Sequence, residues 1–252
     1  MRGFLTAVVS IVATGYFISL SAEELEPWQL AQPTEVWEPV PGRVSINENG
    51  IPSDAIVLFN GEDLSAWESA RDGSAAPWNI EGDILITNPR SGDIRTKQEF
   101  CDVQLHIEWQ VPAEKDMEGP EGQGRGNSGV FLQERYEVQV LDSYAGETYS
   151  NGQAASIYKQ HIPLVNATKP LDQWNEYDIV YRAPRFSDSG ELTQPAFITV
   201  LHNGVLVQNH VEIQGPTAWI GHPPYESHGC APLSLQDHGN PSRFRNIWIR
   251  EL

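Results

Sequence analysis

The sequence has little cysteine and few basic residues. It contains 2 Cys in 252 residues, and 16 Lys and Arg stand against 34 Asp and Glu, giving a formal net charge of −18. Such an acidic chain lacks the cations that displace counterions from phosphates, which excludes nucleic acid as a partner. The same charge disfavours binding to an anionic membrane surface. A chain of this length buries roughly 70% of its unfolded surface, so it can form a core without many disulfides or a structural metal.

A long apolar run occurs only near the N-terminus. Met1-Arg2 precede an apolar stretch from Phe4 to Leu20, and the small residues Ser21-Ala22 follow it. This order is typical of a secretory signal peptide, so we predict a signal peptide over residues 1–22 and export to the periplasm or extracellular space. The alternative is an uncleaved membrane anchor. It is disfavoured because the run is short for a spanning helix and no positive flank follows, and we expect no stable membrane insertion.

The rest of the chain lacks a sustained helical period. Residues 23–52 contain five Pro and predict a Pro/Glu-rich tether. Residues 53–252 carry short β-branched and aromatic runs between Gly, Pro, Asn and Asp, which predicts a single all-β domain, a two-sheet antiparallel jelly-roll sandwich. The runs Val103–Val111 and Ala155–Tyr158 are predicted strands, and Asn203-Gly204 predicts a two-residue hairpin turn. Export would permit a disulfide between the two Cys, but the sequence does not show that they meet.

Alternation within two predicted strands places polar residues together. In Tyr136–Leu141, Glu137 and Gln139 share the face opposite Val138, and in Val103–Val111, His106 and Glu108 share a face. Carboxylates and amides bind hydroxyl groups, and flat aromatic rings stack on the apolar faces of pyranoses. These faces therefore predict contact with a neutral carbohydrate, although a solvated sheet face is the alternative.

Other candidate residues lie at strand ends and in loops. Asp142 follows Glu137 by five residues, so strict alternation places it on the opposite face. A β-bulge, or the end of the strand there, would turn it back and bring the two carboxylates together for acid and base work. Asn127 and Gln236 offer amides, and Lys159 offers a cation. His238 lies on the same face as Gln236 and is a candidate for proton transfer, because the ordinary pKa of histidine lies near neutral pH.

Several segments together resemble the bacterial 3-keto-disaccharide hydrolase (3-keto-glycoside 1,2-lyase) family. The resemblance runs over residues 53–252 and is carried by these segments: Phe59-Asn60-Gly61-Glu62-Asp63-Leu64-Ser65-Ala66-Trp67, Asn127-Ser128-Gly129-Val130-Phe131, Tyr136-Glu137-Val138-Gln139-Val140-Leu141-Asp142, Ser156-Ile157-Tyr158-Lys159, Trp174-Asn175-Glu176-Tyr177, Leu235-Gln236-Asp237-His238-Gly239 and Phe244-Arg245-Asn246-Ile247. The set in this order is specific, whereas each piece alone is not.

The resemblance implies a concanavalin A-like fold and an exported enzyme that cleaves glycosidic bonds of 3-keto-glycosides. A ketone at C3 acidifies the C2 proton, and its removal allows elimination of the C1 substituent, followed by hydration. Glu137 is implied as base or metal ligand at the centre of the pocket. The candidate set divides into catalytic residues (Glu137, His238, Asp142) and substrate-binding residues (Gln139, Asn127, Lys159, Gln236, Glu108). A divalent metal ion as cofactor stays open.

Two other functions stay open. The hexad that begins at Glu137 also resembles the E-x-D-x-x-E signature of family 16 glycoside hydrolases, which share the broad fold. Here Gln139 replaces the Asp and Asp142 replaces the second Glu, which disfavours conventional retaining hydrolysis. A non-catalytic carbohydrate-binding module is the third possibility, because jelly rolls also serve as lectins.

Overall fold

The structure is a computed structural model that describes residues 25–113 and 122–252. The predicted signal peptide, residues 1–22, lies outside the described residues. The chain divides into two units after Arg43. The described part of the first unit contains one short helix, α1 (Pro27–Ala31), and a 3-10 turn at Gln32–Thr34. Within the described residues, no helix has the length and apolar character needed to cross a membrane.

The second unit, Val44–Leu252, is an antiparallel β-sandwich. Its larger sheet has eight strands: β1 (Ile56–Phe59), β3 (Asn79–Glu81), β4 (Ile84–Ile86), β6 (Val103–Gln110), β9 (Asn175–Arg182), β12 (Phe197–His202), β13 (Val205–Glu212) and β15 (Arg243–Glu251). Its smaller sheet has five: β2 (Trp67–Ser69), β5 (Ile94–Phe100), β7 (Ser128–Leu132), β8 (Tyr136–Val140) and β14 (Ala231–Leu235). A separate two-stranded ribbon joins β10 (Arg185–Phe186) to β11 (Leu192–Gln194).

The strand order brings sequence-distant segments together. The larger sheet runs β13-β12-β9-β6-β15-β4-β3 with β1 paired to β15, and the smaller runs β2-β5-β14-β7-β8. The predicted antiparallel jelly-roll sandwich is confirmed. The hairpin at Asn203-Gly204 is confirmed between β12 and β13. The predicted strand Ala155–Tyr158 is wrong, because Ala155 has a left-handed φ of 65° and only Ile157 forms isolated bridges.

One hydrophobic core lies between the sheets. Alternate residues of β6 and β8 are fully buried in it, including Leu105, Ile107 and Val138. Tyr177 of β9 also crosses the core, since its hydroxyl donates to the carbonyl oxygen of Gln139 at 2.7 Å. This bond fixes the larger sheet against β8, the strand that carries the candidate site.

Cys101 and Cys230 form a disulfide with a Cα–Cα distance of 4.7 Å. The register explains the pairing, because Phe100 at the end of β5 lies opposite Ala231 at the start of β14. The two Cys are 129 residues apart in sequence, so the bond closes a long loop in the unfolded chain. It ties one end of a strand pair whose other end reaches the candidate site.

Replacing both Cys101 and Cys230 with Ala is expected to lower the free energy of unfolding by about 2–5 kcal/mol, since the crosslink restricts the unfolded chain. Urea unfolding of the oxidised wild type and the double variant measures this difference. Wild type treated with reductant serves as the control and is expected to match the variant. An unchanged denaturation midpoint would contradict the expectation.

Candidate active site

A pocket of about 680 Å³ lies on the side of β8 opposite the core. In β8, Val138 points into the core while the alternate residues Glu137 and Gln139 line the pocket. This volume is in the range of small-molecule sites, about 300–1,000 Å³. The structure brings five of the eight predicted site residues together there: Glu137, Gln139, Asn127, Gln236 and His238.

Glu137 is the buried carboxyl group of this pocket. Only 5% of the residue is exposed. Burial raises the pKa of Glu137 to about 8, and the negative charge of Asp93 adds to the rise. A carboxylate with a pKa near neutral pH is a stronger base than an ordinary Glu, which suits proton abstraction from carbon.

Neighbouring groups fix the position of the Glu137 side chain. The backbone N–H of Glu137 donates to Thr217 Oγ1 at 3.0 Å. With its amide nitrogen turned toward Glu137, Gln139 donates to Glu137 Oε1 at 3.0 Å and to the Ser128 carbonyl oxygen at 2.7 Å. Gly129 lies opposite Gln139 in the β7–β8 pair and leaves space for the carboxylate. The base is thus held by its strand, the adjacent strand and a crossing loop.

The segment after β14 supplies Gln236 and His238. Asp237 between them anchors the segment, because its N–H donates to Asp93 Oδ1 at 2.8 Å and its Oδ2 accepts from the Gly92 N–H at 2.9 Å. Gln236 Oε1 is buried and has no hydrogen-bond partner within the part of the chain that the structure describes. This oxygen is therefore a candidate acceptor for a substrate hydroxyl. His238 lines the same pocket and is exposed, which suits exchange of protons with solvent or substrate.

Asp93 interacts both with the segment after β14 and with Glu137. Burial raises the pKa of the Asp93 carboxyl, while the Asp237 N–H and the nearby His238 oppose the rise. Its charge in turn raises the pKa of Glu137. Asp93 therefore couples the β14 segment to the candidate base. The sequence contains no motif around Asp93 that indicates this position.

Aromatic residues that sequence reasoning missed also line the pocket. They are Phe131, Tyr149, Tyr158 and Trp219. The hydroxyls of Tyr149 and Tyr158 lie 2.6 Å apart. Burial, together with the Tyr149 hydrogen bond, raises the pKa of Tyr158 above its usual range, so this phenol stays protonated. Only the expectation of stacking rings for a sugar could have indicated these residues, and it does not identify positions.

Asn127 and Lys159 have polar partners within the protein. Asn127 Nδ2 donates to the Gln123 carbonyl oxygen at 2.6 Å, so its oxygen is the atom that the pocket can use. Lys159 Nζ donates to the Trp219 carbonyl oxygen at 2.8 Å. It also lies 5.3 Å from the centre of the Tyr149 ring. Lys159 is outside the lining residues, and its contacts hold the loop that carries Trp219.

Asp142 also lies outside the lining residues. Strand β8 ends at Val140, and the end of the strand was one of the two ways in which Asp142 could have turned toward Glu137. The chain beyond Val140 nevertheless leaves Asp142 outside the pocket that Glu137 lines. The buried Asp142 instead forms an ion pair with the half-buried Arg125, with Nε and Oδ2 2.9 Å apart. The Arg125 carbonyl oxygen also accepts from the Asp142 N–H at 3.2 Å. This carboxylate anchors the segment before β7 rather than facing the candidate base.

Glu108 lies on the outer face of the larger sheet. Arg245 Nε donates to Glu108 Oε2 at 2.6 Å, and Asn246 Nδ2 donates to Oε1 at 2.9 Å. His106 on the same face bonds Asp178 at 2.8 Å. Burial opposes ionisation of Glu108, but hydrogen bonds from His106, Asn246 and Arg245 outweigh it and lower the pKa of Glu108 to about 2. Glu108 lies on the larger sheet and Glu137 on the smaller one, so Glu108 is not part of the pocket around Glu137.

The described side chains of this pocket do not provide a three-ligand site for a metal ion. Among residues 25–113 and 122–252, no three His, Cys, Asp or Glu side chains are grouped so that they could hold one. Among the described lining residues, Glu137 and His238 are the acidic and imidazole groups, and the other polar groups are amides and hydroxyls.

Comparison with known proteins decides the family. The model of the 3-keto-alpha-glucoside-1,2-lyase-like domain matches residues 54–250. The chain belongs to this family. The matched residues, 54–250, include both sheets and every pocket residue named above.

Relatives agree with this assignment. A 3-keto-disaccharide hydrolase of Bacteroides thetaiotaomicron is 24% identical, over 96% of this chain and 87% of that protein. A solved structure from Parabacteroides distasonis, classified as a glycosyl hydrolase, is 52% identical with a TM-score of 0.82, covering 88% of this chain and 96% of that one. A second structure from that organism, at 20% identity, 79% and 94% coverage and a TM-score of 0.57, shares the fold. The lyase-like domain is thus a member of a glycosyl-hydrolase family.

Proposed function

We propose that the protein cleaves the glycosidic bond of 3-keto-glycosides by elimination and hydration. The observation that carries the proposal is Glu137, a buried carboxyl group with a pKa of about 8 in a pocket lined by amides and aromatic rings. A base of this strength is suited to a C2 proton that the neighbouring ketone has acidified. The curated relative from Bacteroides thetaiotaomicron supports the substrate class, since it is a 3-keto-disaccharide hydrolase.

In the proposed first stage, the Glu137 carboxylate takes the C2 proton and the C2–H electron pair forms an enolate with the C3 oxygen. The enolate then collapses: the C3 carbonyl reforms, a C1–C2 double bond forms, and the C1–O bond breaks. The leaving oxygen takes a proton, for which exposed His238 and the protonated Tyr158 are candidate donors. The amide oxygens of Asn127 and Gln236 accept hydrogen bonds from sugar hydroxyls, and the Gln236 amide nitrogen is a candidate donor to the charged C3 oxygen. Gln139 orients the Glu137 carboxylate.

In the second stage, water adds across the C1–C2 double bond. Its oxygen bonds C1, and C2 receives a proton, for which protonated Glu137 is the candidate donor after its carboxyl proton has exchanged with the entering water. The proton that the water loses returns to the group that protonated the leaving oxygen. The net change is hydrolysis of the glycosidic bond, and the carboxylate is regenerated. The buried site also limits access of bulk water to the enolate.

A conventional two-carboxylate mechanism lacks support from the geometry. A retaining glycosidase needs carboxyl groups about 5–5.5 Å apart, and an inverting one needs about 6.5–9.5 Å with both groups facing the bond. Asp142, the candidate partner of Glu137, is ion-paired with Arg125 outside the pocket lining. A single base fits elimination from a keto sugar, because the substrate's own ketone supplies the activation.

Export belongs to the same proposal. The apolar segment within residues 1–22 has the order of a signal peptide. The Cys101–Cys230 disulfide supports an oxidising location, since such bonds persist mainly in the periplasm and outside cells.

Product analysis by NMR tests the proposed activity. The protein is incubated with a 3-keto-glucoside and, separately, with its unoxidised parent, each with and without a chelator. We expect turnover of the keto sugar alone, unaffected by the chelator. Cleavage of the parent would favour a conventional glycosidase, and binding without turnover of either sugar would favour a binding module.

A further inference from the structure

Trp219 is an exposed aromatic residue at the pocket that core packing does not explain. It lines the pocket with Glu137, yet 73% of the residue is exposed. Transfer of so large an apolar side chain out of water is favourable, so its exposure at a site suggests a ligand that covers it.

The loop that carries Trp219 is fixed at several points. Lys159 Nζ bonds the Trp219 carbonyl oxygen at 2.8 Å, and the Thr217 N–H donates to the Arg135 carbonyl oxygen at 2.8 Å. Thr217 Oγ1 accepts from the backbone of Glu137 at 3.0 Å. The loop is therefore connected directly to the strand of the candidate base, and Trp219 is held at a set place relative to it.

Three aromatic residues meet around Lys159. Its Nζ lies 5.3 Å and 5.9 Å from the ring centres of Tyr149 and Tyr158, and it bonds the backbone of Trp219. The Tyr149 and Tyr158 rings pack together with their centres 6.3 Å apart, and Lys159 links this pair to the backbone of Trp219, which lines the same pocket. These three residues are called the aromatic surface below. Glu137, Gln139 and Asn127 are buried and Gln236 is half-buried, whereas Trp219 is at the solvent-exposed margin.

The buried polar end and the exposed aromatic margin of the pocket fit the two parts of a glycoside, the sugar ring and its C1 substituent. The keto sugar must place C2 at Glu137, among the amides that bind its hydroxyls. The C1 substituent must then extend from the buried end toward solvent, where the aromatic surface lies. The pocket volume of about 680 Å³ leaves space for a second ring.

We propose that Trp219, held by Lys159, forms a leaving-group subsite that selects 3-keto-glycosides whose C1 substituent is a flat ring with an apolar face. The inference rests on the proposed function, and it adds a specificity-determining residue to it. Aryl groups and pyranoses share this chemistry, and the experiment separates them.

Steady-state kinetics with three keto substrates test the subsite: a methyl 3-keto-glucoside, a phenyl 3-keto-glucoside and a 3-keto-disaccharide. For each substrate, kcat/KM of a variant is divided by that of wild type, so the intrinsic reactivity of the leaving group cancels. Trp219→Ala is expected to lower this ratio about 10-fold for a ring-bearing substrate and less than about 2-fold for the methyl glucoside. Trp219→Phe is expected to restore most of the loss.

Ile220→Ala is the matched control. Ile220 is the next residue in the same loop and is 78% exposed, but it does not line the pocket. It is expected to leave all three ratios near one. A lower kcat/KM ratio of Trp219→Ala for one or both ring-bearing substrates supports the subsite and identifies the ring that it prefers. An equal decrease for the methyl glucoside, or no decrease for any substrate, overturns it.

A binding measurement separates this inference from the proposed function. Saturation-transfer NMR with unoxidised phenyl glucoside and disaccharide needs no turnover. Wild type that is inert toward every keto substrate would overturn the proposed function. A weaker signal in Trp219→Ala than in Ile220→Ala would still support the aromatic subsite, and equal signals would overturn it.

Discussion

Replacing Glu137 with Gln is expected to lower kcat/KM on a 3-keto-glycoside by about 10²- to 10⁴-fold, the usual contribution of a general base. The amide keeps the size of the side chain but cannot accept the C2 proton. Steady-state kinetics on the variant measure the loss. Glu99→Gln is the matched control, because Glu99 is exposed on β5 of the same sheet. Retained activity in Glu137→Gln would contradict the assignment of the base.

The same substitution is expected to increase stability at alkaline pH. The pKa of Glu137 rises from an ordinary 4.5 to about 8 in the folded protein. Between these values the unfolded chain releases a proton that the folded protein retains, so wild-type stability falls as pH rises from 4.5 to 8. Gln139 and the other neighbours no longer face a buried charge in the variant. Its free energy of unfolding is expected to exceed that of wild type by about 2–5 kcal/mol above pH 8.

Urea unfolding at pH 4 and pH 8.5 measures this difference. At pH 4 both forms of the side chain are neutral, so the two proteins are expected to have similar stability. A stability difference that does not change with pH would contradict a raised pKa at Glu137. The wild-type kcat/KM is expected to rise with pH to a plateau above about 8, because only the ionised carboxylate accepts the proton.

Replacing Gly129 with Ala is expected to lower kcat/KM about 10²-fold, a loss typical of a misplaced catalytic group. A Cβ at Gly129 would lie 2.7 Å from Glu137 Oε1 and 2.6 Å from Phe131 Cε2. Contacts under 3 Å force one group to move, and the carboxylate at the end of a flexible side chain moves most easily. The free energy of unfolding is expected to fall by about 1–3 kcal/mol, as for other overpacked sites.

Gly229→Ala is the control for the glycine substitution. A Cβ there meets no atom within 4 Å, and its backbone is not left-handed. It is expected to leave kcat/KM and stability near wild-type values. Full activity in Gly129→Ala, with an unchanged pH profile, would contradict the placement of the Glu137 carboxylate against β7.

Local pattern predicts the centre of the site but not its surroundings. The period of two in β8 correctly places Glu137 and Gln139 on one face, because the strand is regular from Tyr136 to Val140. Asp142 lies beyond the last strand residue, where alternation no longer applies and its contact with Arg125 decides its direction. The alternation of side chains along one strand does not predict that ion pair, because Arg125 belongs to a different segment of the chain.

Long-range pairings supply what the sequence leaves open. The contact of Asp93 with Asp237 joins residues 144 positions apart and depends on the β5–β14 pairing. Trp219 lies in an irregular loop whose place is set by hydrogen bonds to Lys159 and Arg135, so no periodicity indicates that it lines the pocket of Glu137. The pKa of Glu137 likewise follows from burial by elements distant in sequence.

The most direct test of the account is the fate of the C2 hydrogen during turnover in D₂O. A 3-keto-glucoside that is protonated at C2 is incubated with the protein, and the early product is analysed by ¹H NMR against a sample without protein. The account predicts that the C2 proton signal is lost in step with cleavage, because that proton leaves before the C1–O bond breaks and deuterium replaces it on hydration. Cleavage with the C2 proton fully retained, and with no primary isotope effect on a substrate deuterated at C2, would contradict elimination and remove the role assigned to Glu137.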